Sequence, residues 1–121
     1  MSHRVLIVDD EPNIVISLEY LMKKEGFEIA VATDGDAALR LASEFRPDLI
    51  LLDVMMPKKS GFEVCESLRA NPALVDVKII MLTAKGRETE VTKGLALGAN
   101  AYITKPFSTK DLVVQIKSLL E

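Results

Sequence analysis

The chain has 121 residues, 49% of them hydrophobic and 27% charged, with a formal net charge of −3. That length suits one domain with a full core, and an acidic balance with only scattered Lys and Arg leaves no electrostatic footprint for nucleic acid. A single cysteine, Cys65, excludes an internal disulfide and fits a reducing cytoplasm, while a single histidine, His3 near the N-terminus, excludes a Ser–His–Asp or Cys–His engine.

The first segment, "RVLIVD" (4–9), is apolar until it meets Asp9, Asp10 and Glu11. Its apolar run stops at four residues, so no secretory signal is expected. No stretch approaches the roughly 18 apolar residues that a membrane span needs. Ile14, Leu18, Leu21 and Met22 then recur at helical spacing, with Pro12 at the first turn and Gly26 as a C-terminal stop. After "EIAVAT" (28–33), Asp34 can cap a second helix whose inner face carries Ala38, Leu41, Ala42 and Phe45, and Pro47 ends the connection. "DLILLD" (48–53) leads to a third helix from near Gly61, in which Phe62, Cys65 and Leu68 share a face, so Cys65 reads as a core thiol. "VKIIMLT" (77–83) precedes a fourth helix from near Arg87, and "AYITK" (101–105) a fifth from about Ser108 with Leu112, Ile116, Leu119 and Leu120 inward.

Strands without polar alternation are covered on both faces, which is the mark of a parallel sheet. Five βα units cannot close an eight-fold barrel, so the expected fold is α/β, an open doubly wound (βα)5 sheet with helices on both faces. The expected domain spans 1–121.

Ligands of such sheets bind outside the carboxyl ends of the strands. Those ends carry Asp9 and Asp10, Asp53, Thr83 and Lys105, while Thr33 and Asp34 are accounted for by capping. Any one of these is more often a turn or cap residue than a ligand. Jointly they are harder to dismiss. If the strand order is the flavodoxin-like 2-1-3-4-5, three carboxylates converge and need neutralising. Lys105 and a hard divalent cation such as Mg²⁺ are the two candidates, and without a Cys/His cluster zinc or iron is not expected. Such a site suits phosphoryl chemistry with Asp as nucleophile.

"LIVDDEP", "DLILLDVMMPKKSGFEV", "IIMLTA" and "GANAYITKPF" resemble, in order and spacing, the receiver domain of two-component response regulators. The resemblance implies that Asp53 accepts a phosphoryl group from a phosphohistidine of a sensor kinase or phosphotransfer protein. Asp9, Asp10, Asp53 and the main-chain carbonyl of Met55 would hold Mg²⁺, Asp10 directly and Asp9 in part through water. Lys105 would pair with phosphoryl oxygens, Thr83 would turn toward them, and Tyr102 would rotate into the space vacated. A cis Lys105–Pro106 bond is implied as well. The output would be a rearranged face of helix four, strand five and helix five, read by a partner or output domain that the sequence does not name. The domain would catalyse only its own phosphorylation and dephosphorylation. Asn100, Ala101 and Gln115 are uncharged where many DNA-binding regulators carry a salt-bridged dimer face, which leaves a phosphorylation-dependent dimer open. Met55 and Lys85 fall where receivers tune phosphate lifetime. Gly94 either loosens helix four or lets it pack closely on the sheet.

Rival readings fit less well. A haloacid-dehalogenase-like phosphatase wants Asp-x-Asp-x-Thr on the first strand, where this chain has "DDEPN". A flavin-binding module wants a hydroxyl- and glycine-rich loop there. A degenerate receiver would lack some of the five key side chains, all of which are present.

Overall fold

Val5, Leu6, Ile7 and Val8 are all fully buried, and Leu49, Ile50, Leu51 and Leu52 are sealed as completely. Two such runs can lie side by side only if both faces of their sheet are covered. The computed structural model describes residues 3–56, 59–84 and 88–121. Among them the strands are β1 (Arg4–Val8), β2 (Glu28–Ala32), β3 (Leu49–Asp53), β4 (Lys78–Ala84) and β5 (Ala101–Lys105). They alternate with α1 (Pro12–Lys24), α2 (Gly35–Phe45), α3 (Gly61–Ala70), α4 (Glu88–Ala96) and α5 (Thr109–Leu120). All pairings are parallel and the order is β2-β1-β3-β4-β5, as expected.

Side chains alternate faces along each strand, and this divides the interior in two. Val5, Ile7, Leu49, Leu51, Ile80, Leu82 and Ile103 pack with Leu18 and Met22 of α1 and Leu112 and Ile116 of α5. Leu6, Val8, Ile50, Leu52, Ile79 and Met81 face Ala38 and Ala42 of α2 and Val64, Cys65 and Leu68 of α3. Ile14, Leu21, Leu41, Phe45, Leu119 and Leu120 are only partly buried at the margins.

The punctuation is local chemistry. Pro12 opens α1, and Gly26 follows it at φ +86, the left-handed position that glycine fills without strain. Asp34 accepts from the Ala37 amide at 2.8 Å to cap α2. Ser60 and Glu63 form a reciprocal capping box on α3, and Ser108 caps α5. The expected helix start near Arg87 lies outside the described residues, as do Pro57 and Lys85; described α4 begins at Glu88. Gly94 is the buried residue of α4, and a Cβ there would meet Met81 Cγ at 3.3 Å. Close seating of α4 on β4 is therefore what this glycine provides.

One cation is bound without an acid. Arg69, in the last turn of α3, donates to the carbonyl oxygens of Gly98 (2.9 Å), Val75 (2.9 Å) and Val77 (2.6 Å) and to Asn100 Oδ1 (2.8 Å). Asn100 Oδ1 also accepts from the Ile79 amide at 2.8 Å. Asn100, uncharged in the sequence, thus joins α3 to the entrance of β4.

Candidate functional site at the carboxyl edge of the sheet

The alternation that sorts the core also aims the site. Asp9 continues the series Val5, Ile7; Asp53 continues Leu49, Leu51; and Lys105 continues Ala101, Ile103. All three side chains therefore leave the sheet on the face shared with α1 and α5. The ladder runs on past β1, because the Asp9 amide still donates to Ala32 O at 3.1 Å. It also runs on past β3, with the Val54 amide on Leu82 O at 3.1 Å.

Asp9 is fully buried and Asp53 is 5% exposed. Lys105 Nζ lies 2.8 Å from Asp9 Oδ2 and 3.4 Å from Asp53 Oδ1. It also donates to Glu11 Oε1 at 3.1 Å. Asp9 Oδ1 accepts the Glu11 amide at 2.9 Å, and Asp53 Oδ1 accepts the Met55 amide at 3.4 Å. One lysine thus serves two buried carboxylates and one exposed one. Burial, then the Asp9 charge, pushes the Asp53 carboxyl up to about 7, against the opposing pull of Lys105 and the Met55 amide. Burial works against the Lys105 charge, but Asp9, Asp53 and Glu11 outweigh it and hold its pKa above the usual lysine value.

Negative charge here exceeds what Lys105 neutralises. Asp9, Asp10 and Asp53 each offer a carboxylate oxygen, and these atoms lie within 4.8 Å of one another, Asp10 from the exposed side. Buried Asp9 Oδ2 has the Lys105 ammonium at 2.8 Å and accepts no other hydrogen bond among the described residues. An all-oxygen, anionic set of this kind fits a hard divalent cation.

Of the remaining predicted residues, Met55 touches the cluster through its amide, while the Thr83 hydroxyl is engaged elsewhere. Met55 is exposed at the start of the β3–α3 loop. Gly61 closes that loop: its amide donates to Val54 O at 2.9 Å, and a Cβ would strike the Asp53 carbonyl oxygen and come within 2.9 Å of Val54 Cα. Thr83 is 3% exposed and follows Ile79 and Met81, so it leaves the opposite face. Its hydroxyl lies 3.1 Å from Glu90 Oε1 on α4. Tyr102 is half-exposed along a groove of about 600 Å³ that Leu95, Asn100, Phe107 and Gln115 also line. Lys105–Pro106 is cis. Cys65 is buried and its thiol is pushed up by that burial, so it is a core residue. His3 lies at the far edge, with Nδ1 3.6 Å from Asp48 Oδ2.

Two participants were not singled out by sequence. Glu11 carried a signal as the third acid of the run, whereas Glu90 carried none, because its place depends on how α4 lies over β4.

A model of the response regulator receiver domain matches residues 5–117. The chain is 44% identical over 120 residues to the alkaline phosphatase synthesis transcriptional regulatory protein PhoP of Bacillus subtilis, covering 99% of this chain and 49% of that protein. It thus spans about half the length of that relative. Its fold is similar to the chemotaxis response regulator CheY4 of Vibrio cholerae (TM-score 0.93, 32% identity, 99% and 100% of the two chains). It is also similar to the receiver domain of sensor histidine kinase PA1611 of Pseudomonas aeruginosa (TM-score 0.91, 28% identity, 99% and 98%), a structure with magnesium coordinated in the active-site cleft.

Proposed function

The chain belongs to the response regulator receiver family, and on that premise we propose that residues 1–121 act as one phosphoacceptor domain with Asp53 as the acceptor. The observation that carries the assignment is the convergence of Asp9, Asp53 and Lys105 on one face of the sheet edge. An Asp53 oxygen attacks phosphorus, the P–N bond of the donor phosphohistidine breaks, and its electron pair stays on the imidazole nitrogen. The acceptor gains an acyl phosphate. A sensor kinase or phosphotransfer protein supplies the histidine, which this chain lacks in any buried, positioned form.

Asp9, Asp10, Asp53 and the main-chain carbonyl of Met55 are the groups that would hold Mg²⁺. When bound, the ion neutralises charge on the transferring phosphoryl oxygens. Lys105, already held by three carboxylates, needs only to exchange part of that set for phosphoryl oxygens. Ala84, a small residue after Thr83, leaves room for the group to enter. Beyond its own phosphorylation and dephosphorylation the domain performs no chemistry, and its output passes through the groove beside Tyr102 to a partner or further domain. Thr83 and Tyr102 are the residues proposed to move. The single buried Cys65 suits a cytoplasmic setting, and among the described residues no helix is long and apolar enough to cross a membrane.

Incubation with acetyl phosphate and Mg²⁺, followed by intact mass measurement, tests the assignment. The chain gains one alkali-labile phosphoryl group, and Asp53→Asn gains none. Phosphate on the Asp53→Asn chain, or turnover of many phosphate esters without a stable adduct, would overturn it.

A further inference from the structure

The Thr83 hydroxyl has one proton to donate, and Glu90 holds the nearest carboxylate to it, at 3.1 Å. The next acceptor, the Ala84 carbonyl, is at 3.5 Å. Thr83 is buried and directed to the α4 side of the sheet, away from the face that carries Asp53 and Lys105. The helix that brings Glu90 there has Gly94 as its buried residue among the described residues. Gly94 seats against Met81, and Lys93 Nζ stands 4.5 Å over the Phe62 ring.

We propose that Glu90 is a positioning residue that works as a latch. Its carboxylate keeps the Thr83 hydroxyl pointed at α4, and that hydroxyl cannot donate to a phosphoryl oxygen on Asp53 until Glu90 gives it up. The two acceptors compete for one proton, so the same event that completes the phosphoryl site unfastens α4 from the end of β4. Linkage makes this reciprocal: whatever holds α4 down disfavours the phosphorylated form, and phosphorylation loosens α4 by an equal factor. The inference rests on the receiver reading given above.

Glu90 also sits in the first turn of α4, where any acid favours the helix through its dipole. That role does not involve Thr83, and this separates the two. The test measures affinity for beryllofluoride, an acyl-phosphate mimic, at saturating Mg²⁺, followed by amide NMR shifts. It compares wild type, Glu90→Gln and Glu90→Ala, each with Thr83 intact and with Thr83→Val.

With Thr83 present, losing the latch tightens binding by about tenfold in Glu90→Ala, the scale of one hydrogen bond to a charged acceptor. Glu90→Gln, which keeps a weaker neutral acceptor, falls between. In the Thr83→Val background, Glu90→Ala changes nothing. Unchanged or weaker binding in Glu90→Ala, or an equal gain with and without Thr83, overturns the latch while leaving the receiver assignment standing. Failure of the wild-type chain to bind beryllofluoride overturns the assignment and the latch with it.

Discussion

Replacing Asp53 by Asn keeps the shape of the side chain and removes its charge from a place where charge is costly. The native carboxyl is 5% exposed, stands in the field of Asp9, and has its pKa pushed up from 3.8 to about 7. Between those values the folded chain binds a proton that the unfolded chain has released, so stability falls as pH rises. This group's contribution is fully present below 3.8 and is lost by the time pH passes about 7. The rise from 3.8 to about 7 sets a ceiling of about 4 kcal/mol, and water reaching the rim of the site brings the expected effect to about 2 kcal/mol. Lys105, whose pKa is also raised, loses its contribution only above the ordinary lysine value of 10.5, outside this range. Urea unfolding of both proteins, with a chelator present, reads the difference directly. Asp53→Asn should be the more stable by about 2 kcal/mol at about pH 8, with the gap closing toward about pH 5. A gap that stays constant with pH, or a wild type more stable at about pH 8, would show that the carboxylate is not held at the expense of the fold.

Mg²⁺ should reverse that penalty: at 100 times its dissociation constant it should add about 2.7 kcal/mol to wild-type unfolding free energy in the same assay. Asp10→Asn should lose most of this gain, because Asp10 supplies the exposed side of the carboxylate cluster. Lys105→Met should destabilise the metal-free chain by about 3 kcal/mol, since it strands the buried Asp9 charge, and added Mg²⁺ should restore part of the loss in a thermal melt. Gly61→Ala should cost about 1–3 kcal/mol by urea unfolding, because the new methyl group strikes the Asp53 carbonyl, and it should shift the amide resonances of residues 53–55.

Most of the site could be read from sequence because it is built on strand ends, and a strand end is marked by where an unbroken apolar run stops. Asp53 closes Leu49–Leu52, and Asp9 closes Val5–Val8, so the break in hydropathy gave the position of each carboxylate. Their face follows from counting in twos along the strand. Thr83 sits one register step off that count, which is why it meets α4 and not Asp53. Contacts between elements left no such trace. Nothing in "KGRETEVTKG" distinguishes Glu90 from the other acids of an exposed helix start, because its partner is fixed only when α4 folds over β4. Arg69 was equally silent, since three of its acceptors are main-chain carbonyls that every residue possesses and the fourth, Asn100 Oδ1, lies 31 residues away.

The Arg69 clasp has a mechanical corollary. Because its acceptors are neutral dipoles and not an acid, added salt should leave it nearly untouched while weakening surface ion pairs such as Lys117–Glu25. One rim of the sheet is thus bolted down, and the opposite rim is loaded with mutually repelling oxygens. The clasp fastens α3 to the segments that lead into β4 and β5, at the other end of the sheet from Asp53 and Lys105.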